Sequence, residues 1–240
     1  MSCHISYILH SGFVLESPDA IVVVDLWLCP DPDMPLTSLP CFNQSVKPVY
    51  VLVSHVHPDH FNPEIINIAS VQPITFLLSS DIRRKYKSLR SVDAIHWLHR
   101  GDSFANSILR VQAFGSTDVG VSFLIHVGGV SIFHAGDFND WQRPSAMPVD
   151  NMQMHNYFIA ELRKMAPYVA NADLALFPVD PHQEHFIALG ATQFCSETHP
   201  KALVPMHCWQ QFDLANAIGS QIEALGTRFI PLHPGLTFCL

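Results

Sequence analysis

The run His55-Val56-His57-Pro58-Asp59-His60 sets three imidazoles and one carboxylate within six residues. Neutral imidazole and carboxylate are suitable ligands for Zn2+, with Mn2+, Fe and Ni2+ as alternatives. In extended chain, side chains two residues apart face the same way, so His55 and His57 can present their rings to one ion. Pro58 bends the chain out of the strand, and Asp59 and His60 then face a second position. Leaving these groups buried and unpartnered would cost about 1–3 kcal/mol each. A His-rich polar surface loop is the alternative, but the run follows an apolar strand directly.

The same juxtaposition recurs along the chain. Ile21–Val24 is followed by Asp25, the VSIFHAG run by Asp137 and ALVPM by His207. Strand ends that share one sheet edge would bring these residues into one cleft, where layered α/β architectures place their ligands.

The elements needed to position them can be read from periodicity and turn chemistry. Ile5–Leu9 and Phe13–Glu16 flank Ser11-Gly12 as a hairpin, and Ile21–Val24 is a buried strand. Residues 29–48 carry five prolines and read as a long loop. Val49–Ser54 is the next strand, and Asn62-Pro63-Glu64 starts a helix that Ile65–Ser70 continues. Thr75–Leu78 is a strand, and Asp81 caps a short helix to Leu89. Strands follow over Ile108–Phe114, Val121–Val127 and Val130–His134, the last two joined by a tight turn at Gly128-Gly129. A helix is expected over about Asn156–Ala170 with a break near Pro167. Leu174–Phe177 is a strand, Ala191–Glu197 a helix, Ala202–Val204 a strand and Asp213–Leu225 a helix. Arg228–Ile230 and Leu236–Phe238 close the chain as strands. The expected fold is α/β (α+β): a four-layer αββα sandwich, two mixed β-sheets face to face with helices outside, forming a single domain over residues 1–240.

Composition narrows the partners. The chain has 48% hydrophobic but only 14% charged residues, and a formal net charge of −8. Its densest cationic stretch, Arg83-Arg84-Lys85-Tyr86-Lys87 with Arg90, reads as a solvated helix face. Nucleic acid is therefore not an expected partner; a small-molecule substrate is. No apolar run is long enough to span a membrane, and the first residues lack the pattern of a secretory signal. Six cysteines without C-x-x-C spacing suit free thiols in the cytoplasm. Neither G-x-S-x-G nor a P-loop occurs. Composition leaves the oligomeric state open.

HVHPDH resembles the H-x-H-x-D-H signature of the metallo-β-lactamase superfamily. The segment Tyr7–Glu16 with His10-Ser11-Gly12, then Asp25, GVSF at 120–123, FHAGD at 133–137 and VPMH at 204–207 follow in family order. The subgroup it most resembles is that of zinc-dependent hydrolases similar to ascorbate-6-phosphate lactonase. The resemblance implies that His55 and His57 hold a first metal, that Asp59, His60 and His207 hold a second, and that Asp137 bridges them. It places Asp25 behind a ligand histidine and His10 beside the site. One departure stands out: the family carries a further histidine where this chain has Ser116. Asp118 could substitute as an oxygen ligand, or His134 could reach in. The site of Asp59, His60, Asp137 and His207 is accordingly expected to be the tighter one. Asp180 follows a strand end and is a candidate to orient a ligand or touch substrate, and Trp141 to wall the pocket. The implied chemistry is metal-assisted hydrolysis of a small ester, lactone or phosphodiester, dependent on His57, Asp59 and Asp137. The alternatives are an RNA-processing nuclease of the same fold or a metal-binding, regulatory relative that has lost catalysis.

Overall fold

A computed structural model describes residues 3–28, 31, 39, 42, 46–70 and 73–240. The loop expected over 29–48 lies largely outside the described residues.

Two seven-stranded sheets make up the interior. The first contains β1 (His4–Leu9), β2 (Gly12–Glu16), β3 (Ile21–Val24), β4 (Val49–Val53), β5 (Ile74–Ser79) and β6 (Ile95–Leu98), with β14 (Thr237–Cys239) beside β1. The second runs β13 (Arg228–Phe229), β12 (Ala202–Met206), β11 (Leu174–Pro178), β10 (Val130–His134), β9 (Val121–Val127), β8 (Leu109–Gly115) and β7 (Ser103–Ala105). Both are mixed: β3 to β6 and β10 to β13 pair in parallel, while β1 to β3 and β7 to β10 pair antiparallel.

The continuous apolar runs in β3 and β4 have a direct cause. Val22, Val24, Tyr50 and Leu52 face the second sheet in the central core. Val23, Val51 and Val53 point the other way and pack with Phe61, Ile65, Ile68 and Ile82. A strand buried on both faces needs apolar residues at every position, and each such side chain contributes about 1.5–3 kcal/mol on burial.

Five α-helices are described: α1 (Ser80–Lys85), α2 (Pro148–Val169), α3 (Leu189–Thr198), α4 (Phe212–Asn216) and α5 (Gly219–Glu223). Several expected boundaries are corrected. Helix α2 begins at Pro148 and runs through Pro167 without a break; its buried stripe of Phe158, Leu162, Met165 and Val169 holds it on the core. The helix expected over 213–225 is two short ones, and at Gly219 a Cβ would press into the Phe229 ring. Residues Pro63–Ser70 form a 3-10 rather than an α-helix, although Asn62 does accept the Glu64 amide as its cap. Asp81 caps nothing: its carboxylate takes the Val56 amide at 2.9 Å. The short strands β6 and β7 lack clear alternation and were not expected.

In both sheets the strands that carry polar residues at their ends terminate on the same edge. There the two sheets are tied directly. The Val121 amide donates to the Ser54 carbonyl at 2.9 Å and the His207 amide to the His10 carbonyl at 3.2 Å. Gly120, with φ +75°, makes the first tie possible, because a Cβ would collide with the Ser54 carbonyl and His55. No described helix is long and apolar enough to cross a membrane.

Candidate metal centre

Strand ends deliver the donors. His10 follows β1, Asp25 follows β3 and the His55–His60 turn follows β4. Asp118, Asp137, Asp180 and His207 come after β8, β10, β11 and β12. His10, Asp25 and His207 all adopt positive φ, at 56°, 46° and 59°. Left-handed backbone at non-glycine residues costs about 1–3 kcal/mol each, and its concentration at one edge marks a constrained site.

Two donor groups form there. His10, Asp59, His60 and His207 offer ligand atoms within 4.8 Å of one another, as do His55, His57, Asp118 and Asp137. Asp137 lies between them. Its Oδ1 is 3.1 Å from His60 Nε2 and 3.5 Å from His207 Nε2, while Oδ2 is 3.4 Å from His55 Nε2. Asp59 Oδ2 lies 3.2 Å from His10 Nε2 and 3.5 Å from His207 Nε2. On the outer side, His57 Nδ1 is 3.1 Å from His55 Nε2 and 3.3 Å from Asp118 Oδ2.

What lies behind the donors fixes their tautomers. His60 Nδ1 is 2.8 Å from Asp25 Oδ2 and His207 Nδ1 is 3.0 Å from Asp180 Oδ2. Both therefore carry hydrogen on Nδ1, and in the neutral form each ring turns its Nε2 lone pair inward. His55 reaches the same state through a relay. Ser54 Oγ donates to Asp25 at 2.6 Å, so it accepts from His55 Nδ1 at 2.9 Å. Trp209 Nε1 also donates to Asp180, at 3.1 Å.

These residues fit a divalent cation. Neutral imidazole lone pairs aimed at carboxylate oxygens cannot hydrogen-bond them, and His10 Nε2, His60 Nε2 and Asp137 Oδ1 are buried without a hydrogen-bond partner. The electrostatics make the same demand for positive charge. Burial works against charging His60, yet Asp137 and Asp25 outweigh it and hold its pKa well above the ordinary value. Burial also opposes His207, whose pKa is nevertheless raised to about 9 by Asp137, Asp180 and Asp59. Asp137 is held well below the carboxylate range, against its burial, by His60 and His207. Asp180 falls to about 2, also against burial, through His207 and His182. His10 is the exception: burial outweighs its contact with Asp59 and lowers its pKa.

The remaining candidates separate clearly. His134 stands outside both groups. It takes the Gly136 amide on Nδ1 and donates from Nε2 to the Ser11 carbonyl at 2.8 Å, so it is a hydrogen-bonded neighbour of the centre and does not reach in as a donor. Ser116 Oγ accepts the Asp118 amide at 3.2 Å and thereby shapes the turn that presents Asp118. His10, placed beside the site by the sequence, contributes a donor atom. Ser54 escaped sequence reasoning and Asp81 was read only as a helix cap, because a serine at a strand end and an aspartate 25 residues beyond the Val56 amide it accepts carry no metal-ligand signal. His185 and His199 are exposed.

The centre opens on a pocket of about 690 Å³ bordered by His57, Asp118, Trp141, Arg143 and Trp209. Trp141 is fixed by its Nε1 bond to the Asp137 carbonyl at 2.8 Å.

Residues 4–150, more than half of the chain, match the β-lactamase superfamily domain. The chain is 25% identical over 249 residues to a UPF0173 metal-dependent hydrolase of Symbiobacterium thermophilum, covering 98% of this chain and 99% of that one. It is 28% identical over 220 residues to another from Heliobacterium modesticaldum, covering 85% and 82%. Among solved structures, a metallo hydrolase from Ignicoccus hospitalis superposes with a TM-score of 0.72 at 19% identity over 100% of this chain and 99% of that chain, a likeness of fold.

Proposed function

This chain belongs to the β-lactamase superfamily, and from that premise we propose that it is a metal-dependent hydrolase of a small ester, lactone or phosphodiester. One observation carries the reading: the lone pairs of three histidines, each set by a hydrogen bond behind it, converge with Asp59 and Asp137 on the floor of an open pocket. A divalent cation held there would supply Lewis acidity and lower the pKa of a water toward neutrality.

The chain's own residues supply the rest. Asp137 offers one oxygen to each donor group. Asp59 is 21% exposed at the pocket floor, and with one oxygen near His10 and His207 it is placed to take a proton. Trp141 and Trp209 narrow the mouth and limit water around a bound substrate. Zinc suits both donor sets; the group holding Asp118 and Asp137 has two oxygens and suits manganese or iron as well. Among the described residues Cys3, Cys195, Cys208 and Cys239 are free thiols, which supports a reducing, cytoplasmic setting.

The test is turnover of 4-nitrophenyl acetate, a γ-lactone and bis(4-nitrophenyl) phosphate by chelated protein, before and after zinc or manganese is restored. Metal should restore turnover of at least one probe, and His60→Ala, His57→Ala and Asp137→Ala should each lower it by about 100-fold or more. Full turnover by chelated protein would overturn the reading. Tight metal binding with no turnover of any probe would favour the silent metal-binding alternative.

A further inference from the structure

Resting on that reading, we infer that the substrate carries a compact oxyanion, a carboxylate or phosphate, which Arg143 holds at the mouth of the pocket while the reacting group sits on the metal centre. Among the described residues Arg143 is the one lysine or arginine lining this pocket. The other titratable groups there are His57, Asp59, Asp118, Asp137, Asp180, His182 and His207. Each of the aspartates has a histidine beside it. Arg143 does not: no described hydrogen bond or ion pair involves its guanidinium. Arg143 thus lines the same pocket as four carboxylates and pairs with none of them.

The backbone explains how. The Arg143 amide donates to Asn151 Oδ1 and the Asn151 side chain donates back to the Arg143 carbonyl, both at 2.9 Å. This reciprocal clasp fixes the residue to the first turn of α2. Upstream, Gln183 Nε2 donates to the carbonyls of Asp140 and Gln142 at 2.6 and 3.3 Å, and Asn139 Nδ2 donates to Gln183 Oε1 at 2.7 Å. Thr117 Oγ1 donates to the Asn139 carbonyl at 2.6 Å. The loop from Asp137 to Arg143 thus has no regular secondary structure but is anchored at nearly every residue. Such a loop fixes the backbone from which Arg143 reaches the mouth of the pocket.

Guanidinium geometry matches two oxygens of a carboxylate or phosphate, whereas a neutral substrate end would gain less from it and a cationic one would be repelled. The space between is walled by Trp141 and Trp209, both fixed through their indole N–H groups, which suits an apolar or flat connecting body.

The experiment uses the full chain loaded with zinc and a series of alkyl hydroxamates as probes. The hydroxamate chelates the metal, and two to six methylenes lead to a terminal carboxylate, phosphonate or methyl ester. At one length the acid should bind about tenfold tighter than its methyl ester, about 1.4 kcal/mol. That preference should vanish in Arg143→Met, return in part in Arg143→Lys and invert in Arg143→Glu. Comparison of carboxylate with phosphonate identifies which oxyanion the site takes. Arg143 is exposed, and an unchanged Tm would show that its variants fold. Equal binding of acid and ester at every length, or a preference that survives Arg143→Met, would overturn this inference alone. If no hydroxamate binds and elemental analysis finds no metal, the hydrolase reading fails and this one with it.

Discussion

The two donor groups share Asp137 and one strand edge, yet they are built differently. In the group of His10, Asp59, His60 and His207 the three histidines are buried, and His60 and His207 each have a carboxylate behind them. In the group of His55, His57, Asp118 and Asp137 the side chains of His57 and Asp118 are 44% and 38% exposed. His57 has no described hydrogen-bond partner behind its ring, and Asp118 has, besides its contact with His57, its own amide on Ser116. Affinity for an ion depends on how rigidly the donors are oriented, and groups behind them commonly contribute 10–100-fold. The inner group should therefore hold an ion tightly and the outer one exchange it with solvent.

The largest consequence concerns stability. Asp25 is fully buried and takes the Ser54 amide, the Ser54 hydroxyl and His60 Nδ1 at 2.7, 2.6 and 2.8 Å. Asp25→Ala strands all three donors, and urea unfolding of the chelated protein should show a loss of about 3–5 kcal/mol. Asp118→Ala, at the rim, should stay within about 0.5 kcal/mol of the parent. Equal losses would break the contrast.

Metal stoichiometry should show the next largest effect. Equilibrium dialysis of His207→Ala should reveal the loss of the tight equivalent, while His57→Ala should keep it and lose only the weaker one. A parent protein with two indistinguishable tight equivalents would contradict the same contrast.

How much of this was legible in the sequence follows from what each signal reports. The strands before Asp25, the His55–His60 turn and His207 were readable because β3, β4 and β12 are apolar runs cut off by a polar residue. The sandwich and the convergence on one edge followed from that pattern. The start of α2 was not readable, because Pro148-Val149-Asp150-Asn151 carries no apolar periodicity; Asn151 is spent on clasping Arg143. The helix continues through Pro167 because packing of its buried stripe outweighs the local cost. His10 as a donor and Ser54 as a relay were hidden for a different reason. Each acquires its role from a contact across 29 to more than 100 residues, and spacing within a motif cannot report that.

The outer layer can be tested more gently. Asp180 orients His207 and anchors Trp209. Asp180→Ala should weaken the tight equivalent by about 10–100-fold while leaving the stoichiometry unchanged. A titration with a competing chelator would measure this.

The smallest effect is a pH dependence that belongs to the buried half of the centre. In chelated protein His207 is raised to about 9, against burial, by Asp137, Asp180 and Asp59. A histidine raised above its unfolded value of about 6.5 stabilises the fold fully below that pH, and the contribution is lost as pH climbs through about 9. The Tm of chelated protein should accordingly fall between pH 6.5 and 9.5, at about 2–4 °C per kcal/mol lost for a chain of this size. Bound metal takes the proton's place, so loaded protein should be flatter over the same range, and loading at pH 7 should release protons into the buffer. His207→Ala should remove much of the slope in chelated protein. A chelated parent whose Tm is level from pH 6.5 to 9.5 would show that the carboxylates around His207 do not hold a proton there, and the electrostatic demand for a cation would lose its support.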